Sequence, residues 1–280
     1  GVNYAIILAG GIGSRFWPLS RQSEPKQFLN LCSNRSMIED SIHRISGLVK
    51  RENIYIATNR IHRRKIKNCL KKFTLPLKNI LFEPQGKNTF SPIAVLSKQI
   101  NDMDPDAVIT VLPCDHFIKH IPKFLKLLNK AMGVAKQGYI VTLGITPVRP
   151  ETGYGYIKID PKAKIQNTKI YKVDKFVEKP DFDTAKKFLK YKNYLWNTGT
   201  FIFKAVTFLG AIRRLAADIY GGLKDMRKID KRYEMLPDIS VDYAIMEKAY
   251  DIYCVKSSYP WEDIGSFDSL KKVLKIEVRR

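Results

Sequence analysis

The chain has 280 residues, 45% hydrophobic and 27% charged, with 49 lysines and arginines against 27 aspartates and glutamates for a formal net charge of +22. That length buries a full core without disulfides, and that composition excludes disordered, collagen-like and disulfide-scaffold classes. Cys32, Cys69, Cys114 and Cys254 are scattered without metal-ligand spacing, and the basic excess, lacking any zinc-finger, RNP or helix-turn-helix signature, reads as solvated lysine rather than a nucleic-acid groove.

Residues 4–8 (YAIIL) form a short apolar run, too short for a signal-peptide core, and read as a buried strand. It leads into the glycine loop LAGGIGSRFWPLSRQSEPKQF. A glycine turn after a strand lets backbone N–H groups approach phosphates, although the glycines alone would serve equally as a plain turn. A dinucleotide fingerprint needs a third glycine where Phe16 stands, and a P-loop needs Gly-Lys-Ser/Thr, which the chain lacks. Arg15 and Lys26 instead bring two cations to the loop, a pattern suited to a triphosphate.

Ser36 and Glu39 predict a capping box, after which Ile38, Ile42, Ile45 and Val49 share one helix face. Further buried strands are expected at 54–57, 80–82, 108–112 and 139–143, alternating with helical segments. One of these has Pro122 in its first turn and Phe124, Leu128, Ala131 and Ala135 at core spacing. This order predicts an α/β fold, a Rossmann-like, mostly parallel sheet with helices on both faces, and ligands beyond the carboxyl ends of its strands. From 152 to 180 the strands shorten (YGYIKI, KIYKVDKFVEKP), and helices are expected near 205–215, 241–250 and 267–275. Without a Pro/Gly/Ser linker, the expectation is one domain over 1–280, with 151–280 adding a smaller lobe to the same sheet.

The spacing GGxGxR, nine residues, then Pro-Lys resembles the signature of the sugar-1-phosphate nucleotidyltransferases, and WPLSR and PKQF resemble its mannose-1-phosphate guanylyltransferase branch. EPQGKNTFSPIA, LPCDH, TGYGYIK, FVEKP, WNTGTFIF, SVDYAIMEKA and WEDIGSF follow in family order, so the resemblance covers essentially the whole chain. It implies conversion of GTP and mannose 1-phosphate to GDP-mannose and pyrophosphate with Mg2+. The implied setting is a cytoplasmic protein, often a homodimer, with no specific nucleic-acid or membrane partner. Residues 1–150 would mainly bind nucleotide and 151–280 mainly sugar phosphate. A uridylyl- or adenylyltransferase acting on glucose 1-phosphate, and a regulatory subunit that binds a nucleotide sugar with little catalysis, remain as alternatives. Intact Arg15, Lys26, Asp115 and Asp263 count against the second.

By the same resemblance, Leu8, Gly10, Gly11 and Gly13 cradle the nucleotide, Arg15 meets the β- and γ-phosphates, and Lys26 meets the α-phosphate. Asp115, at the carboxyl end of a strand, and Asp263, far along the chain, are the implied magnesium ligands; alone, either would serve as a cap or turn residue. His116 lacks a second histidine at ligand spacing and reads as structural. Asn88 and Thr89 open a helix and contact base or ribose, next to a departure from the branch pattern in which Phe90 and Ser91 replace small residues. Thr200 and Phe267 are milder departures. Glu178, Asn197, Gly199 and Gly153 are implied sugar contacts, and Lys179 meets the sugar phosphate, although consecutive Glu178 and Lys179 are expected to diverge at a strand end. Asp242 joins this set, while its place in a helical first turn after Ser240 explains it equally by dipole stabilisation.

Overall fold

The computed structural model describes residues 1–11, 20, 24–223 and 229–278. Strands β1 (Asn3–Ala9), β2 (Ile54–Asn59), β3 (Ile80–Glu83) and β4 (Val108–Pro113) pair in parallel in the order β3-β2-β1-β4. Each return between parallel strands needs a crossover, supplied by α1 (Met37–Ile45), α2 (Arg63–Lys71) and α3 (Phe90–Met103). The capping box opens α1: Ser36 Oγ accepts from Glu39 N at 3.4 Å and Glu39 Oε2 accepts from Ser36 N at 2.8 Å.

The chain continues through β5 (His116–Ile118), α4 (Ile121–Ala135), β6 (Ile140–Ile145), β7 (Tyr156–Lys164), β8 (Ile170–Val177), α5 (Phe182–Lys190) and β9 (Tyr194–Lys204). It closes with α6 (Ala205–Leu215), α7 (Ala217–Gly222), α8 (Ile229–Met235), a π-helix (Asp242–Met246), β10 (Ile252–Ser257), β11 (Trp261–Asp263) and α9 (Phe267–Val278). No helix among the described residues is long and apolar enough to cross a membrane.

The main sheet has nine strands in the order β3-β2-β1-β4-β9-β6-β10-β8-β7. Its parallel pairings are those of the first half together with β6–β10, and the rest are antiparallel. The long β9 runs antiparallel to β4 through its carboxyl part, to β6 at both Trp196–Asn197 and Phe201–Ile202, and to β7 through Tyr194–Trp196, so it joins the smaller lobe to the first half. Alternation along β1 sends Ala5, Ile7 and Ala9 to one face, against α1 and α4, and Ile6 to the other, against α3 and α6. Each expected apolar position on α1 and α4 is buried.

α5, β9, α7, α8 and β10 are not among the expected elements, and two further elements differ for a physical reason. The helix expected over 241–250 is one wide turn, closed by Glu247 N donating to Asp242 O at 2.9 Å. The extra residue per turn lets the consecutive Ala244, Ile245 and Met246 all face inward, which a 3.6-residue period does not. The β5–β11 ribbon has no counterpart among the expected elements, because three-residue strands carry no readable alternation.

Phe124 is fully buried against Tyr259 at 5.9 Å between ring centroids. Phe124→Ala is therefore expected to cost about 3–5 kcal/mol of stability, read as a lower urea midpoint with an unchanged m-value.

Candidate active site

Past the carboxyl end of β4, Cys114 N donates to Leu8 O at 3.1 Å, and Asp115 follows beside the glycine loop. The antiparallel ribbon sets Asp263 of β11 opposite His116 of β5, and Ile264 N donates to Asp115 O at 3.0 Å. Two carboxylates far apart in the chain thereby meet. Lys26 opens a short 3-10 turn (Lys26–Phe28) pinned by Gln27 Nε2 donating to Ala9 O at 2.9 Å. Its ammonium donates to Asp115 Oδ2 at 2.5 Å and to Ile264 O at 2.9 Å.

Burial alone would discharge this cluster, yet the partners win. Burial lowers Lys26, but Asp115, and further off Asp263, hold its pKa above the ordinary lysine value. Burial likewise raises Asp115, but the Lys26 charge and the neighbouring His116 hold it below the usual carboxylate range. Burial pushes His116 down to about 4, against the pull of Asp115, so its imidazole is neutral near pH 7. One ligand atom from each of Asp115, His116 and Asp263 lies within 4.8 Å of the others, a group able to hold a metal ion. Two carboxylates suit a hard divalent cation. His116, read from sequence as structural, does stack edge-on against Trp261 at 5.1 Å, but it also stands within the acidic pair.

The strand that presents Asp263 is anchored by its neighbour. Glu262, only 2% exposed, accepts from Arg149 Nη2 at 2.6 Å and from Tyr154 Oη at 2.7 Å. The Arg149 guanidinium also lies 4.9 Å from the Trp196 ring centroid. Sequence reasoning passes over Glu262 and Arg149, although the WEDIGSF and TGYGYIK texts flank this contact.

A second polar cluster forms where β7, β9 and the π-helix meet. Asn197 Nδ2 donates to Asp242 Oδ1 at 2.8 Å, and Asn197 Oδ1 accepts from Gly199 N at 3.0 Å. Gly199 has φ +64°, a conformation that favours glycine. A Cβ on Gly199 would lie 3.5 Å from Pro113 at the end of β4, so this cluster adjoins the strand that delivers Asp115. Glu178 approaches Gly155, where a Cβ would sit 2.7 Å from Glu178 Oε2. Gly155, not the expected Gly153, is thus the glycine this cluster requires; exposed Gly153 instead bonds locally through its N–H to Glu151 Oε1 at 3.4 Å. Glu178 and Lys179 do not diverge as expected: φ +41° at Lys179 turns the chain so that its Nζ lies 3.3 Å from Glu178 Oε1.

After β3, Asn88 takes φ +50° and its Oδ1 accepts from Thr89 N at 2.9 Å. The Thr89 hydroxyl accepts from Val241 N at 2.9 Å, and Ser91 Oγ donates to Pro237 O at 2.7 Å. Lys87 Nζ donates to the Glu234 and Leu236 carbonyls. Residues 87–91 therefore clasp the 234–241 segment that runs into Asp242, and the Thr89 hydroxyl takes part in that clasp. Phe90 and Ser91 are fully buried. Glu83, which the sequence reading misses, is buried at the end of β3, accepts from Tyr233 Oη, and would meet a Cβ on Gly10 at 2.8 Å. A Cβ on Gly11 meets nothing within 4 Å. Arg15 and Gly13 lie outside the described residues.

A nucleotidyl transferase family model matches residues 4–278. The chain is 38% identical over 288 residues to a mannose-1-phosphate guanylyltransferase of Salmonella muenchen, an alignment covering 98% of this chain and 60% of that protein. It is 38% identical over 279 residues to the xanthan biosynthesis protein XanB of Xanthomonas campestris pv. campestris, covering 96% and 58%. The chain thus spans 58–60% of the length of these curated relatives. A solved structure from Thermus thermophilus, described as a mannose-1-phosphate geranyltransferase, superposes with a TM-score of 0.88 at 31% identity over 98% of this chain and 79% of that one. A UDP-glucose pyrophosphorylase solved with UDP-glucose superposes at 0.60 with 16% identity, over 100% and 99%, which shows the shared fold alone.

Asp242 gives the acceptor-side cluster a titration signature. Burial, then the neighbouring Glu178 carboxylate, pushes its pKa up to about 6, against the bond from Asn197. A carboxyl raised in the folded state contributes stability that is present below its unfolded pKa of 3.8 and is lost as pH rises through about 6. Asp242→Asn keeps the oxygen that accepts from Asn197 and removes the charge. It should be more stable than the unaltered protein at pH 7, by on the order of 3 kcal/mol, and most of the gap should close by pH 4 in urea titrations across that range. A gap independent of pH would refute the assignment.

Proposed function

The chain belongs to the nucleotidyl transferase family, and from that membership we propose that it joins GTP to mannose 1-phosphate, forming GDP-mannose and releasing pyrophosphate. The observation that carries this reading is the adjacency of two unlike clusters across the β4–β9 pair. One is a cation and carboxylate group, Lys26 with Asp115 and Asp263; the other is a hydroxyl-binding group, Glu178 with Asn197 and Asp242. Nucleotide triphosphate and sugar phosphate need those two chemistries side by side. The name borne by the relative from Salmonella supports guanine and mannose as the base and sugar.

In the proposed reaction an oxygen of the sugar phosphate attacks the α-phosphorus in line. The bond from that phosphorus to the bridging oxygen breaks, and pyrophosphate leaves with the electron pair. No protein nucleophile takes part, and no general base is needed because the acceptor phosphate is already ionised. The protein's tasks are positioning and charge neutralisation. Lys26, its charge fixed beside Asp115, faces the charge that builds on the α-phosphate. Leu8, Gly10 and Gly11 offer close backbone approach, and Gly13 and Arg15 complete the loop toward the β- and γ-phosphates. Asn88, with its left-handed backbone, borders the base. Glu178, Asn197, Gly199 and Asp242 hold the sugar hydroxyls, and Lys179 meets the acceptor phosphate. Asp115 and Asp263 would hold Mg2+, which when bound neutralises phosphate charge.

A pyrophosphate-release screen of four nucleoside triphosphates against mannose, glucose and N-acetylglucosamine 1-phosphates tests the reading. GTP with mannose 1-phosphate should turn over fastest; a clear preference for UTP or ATP with glucose 1-phosphate would overturn it.

Two substitutions separate the clusters. Lys26→Ala should lower kcat roughly 100-fold or more, as for loss of one electrostatic stabiliser, with little change in the mannose 1-phosphate KM. Gly155→Ala displaces only the end of a flexible Glu178 side chain, so it should leave stability nearly intact and raise that KM about tenfold or more. Gly153→Ala should change neither constant by more than about twofold.

A further inference from the structure

A cavity of about 240 Å³ lies against the β5–β11 ribbon, and Cys114, His116 and Ile264, immediate chain neighbours of Asp115 and Asp263, form part of its wall. Arg44, in the last turn of α1, reaches this cavity while only 9% exposed. Among the described residues its one hydrogen bond runs from Nη2 to His116 O at 3.0 Å, and no carboxylate pairs with it within 4 Å. The nearby Asp40 is engaged elsewhere: it accepts from Ser33 Oγ at 2.8 Å and faces Arg35 Nη1 at 3.9 Å. Two guanidinium groups, Arg35 and Arg44, thus line the cavity against one carboxylate, and the rest of the wall is largely apolar, with Phe117 and Ile121.

A nearly buried guanidinium carries five N–H donors and a charge that burial makes costly unless an anion pairs with it. One backbone carbonyl uses one donor and neutralises nothing. The planar fork matches the oxygens of a phosphate in a two-point contact. We propose that this cavity binds a phosphate group, as a phosphate monoester with an apolar body, through Arg44 at its depth and Arg35 at its mouth, separately from the two substrate clusters.

Occupancy has a direct mechanical route to those clusters. Arg44 holds the carbonyl of His116, which pairs with Asp263 in the ribbon, and Ile264, in the cavity wall, both donates to Asp115 O and accepts from Lys26. An anion that draws Arg44 from that carbonyl shifts the two carboxylates relative to each other and changes their affinity for a divalent cation. This coupling rests on the reading of Asp115 and Asp263 as metal ligands; the anion site itself does not.

The test uses inorganic phosphate and phenyl phosphate as probes, with arsenate as a phosphate-shaped anomalous scatterer. Crystals soaked in arsenate should show a peak within hydrogen-bond distance of the Arg44 guanidinium. In calorimetry phenyl phosphate should bind more tightly than inorganic phosphate. Its dissociation constant should rise at least tenfold in Arg44→Met and in Arg35→Glu, the latter a surface change that leaves the core untouched. No peak at Arg44, or equal affinity in all three proteins, would overturn the site; tighter inorganic phosphate would overturn the monoester assignment. Saturating phenyl phosphate should change the Mn2+ dissociation constant at least threefold in the unaltered protein and not in Arg35→Glu. An unchanged Mn2+ constant with the anion bound at Arg44 would overturn the coupling. Absence of GTP and mannose 1-phosphate turnover would refute the proposed function and leave the anion site standing.

Discussion

The rest of the site depends on one buried ammonium. Lys26 is nearly enclosed, and a charge in that position is tolerated only with close oxygen partners. Those partners come from two other parts of the chain, the Asp115 carboxylate after β4 and the Ile264 carbonyl after β11. The glycine-loop end of the chain, the end of a central strand and a ribbon near residue 263 must therefore close on one another before the cation is satisfied. A buried ion pair of this kind adds little net stability over an apolar substitute; what it adds here is a requirement that three segments agree in position.

The strand carrying Asp263 solves a second problem by alternation. Successive residues of a strand point to opposite sides, so Glu262 turns inward to Arg149 and Tyr154 while Asp263 turns to Asp115. One acid fixes the strand and the next faces the Asp115 carboxylate. The clasp between residues 87–91 and 234–241 does the same for the other half. It ties the glycine-facing end of β3, through Glu83 and Tyr233, to the approach of Asp242. The contacts from Lys87, Thr89 and Ser91 are made to backbone atoms, which are less sensitive to side-chain identity than a chain of packed side chains.

What is legible in the sequence follows from the range of its signals. The capping box at Ser36, the buried faces of α1 and α4 and the placement of Asp115 past β4 all rest on periodicities within a few residues, and the structure has them. The β5–β11 pairing joins residues far apart through strands too short to alternate, so nothing local announces it. The choice between Gly153 and Gly155 turns on a cross-strand neighbour, Glu178, that no spacing in the TGYGY text reveals. Lys179 departs from the alternation rule because a residue with φ +41° turns the chain where extended strand residues would diverge. Glu83 and Glu262 look in sequence like ordinary surface acids, and only their burial marks them.

That burial pattern also separates recognition from stability. An acid whose pKa rises on folding costs the free protein stability at neutral pH, and Asp242 rises because burial and Glu178 both oppose its charge. Nothing in the core requires this: Ala244, Ile245 and Met246 fill the apolar side of the same turn. Under the proposed function the cost is offset by a ligand rich in hydroxyl donors, because each O–H delivered to Glu178 or Asp242 replaces a lost water contact and damps the repulsion between the two carboxylates. A polar cluster that weakens the empty fold and, under the proposed function, is completed by a sugar is what selection for binding retains, and selection for stability alone would remove.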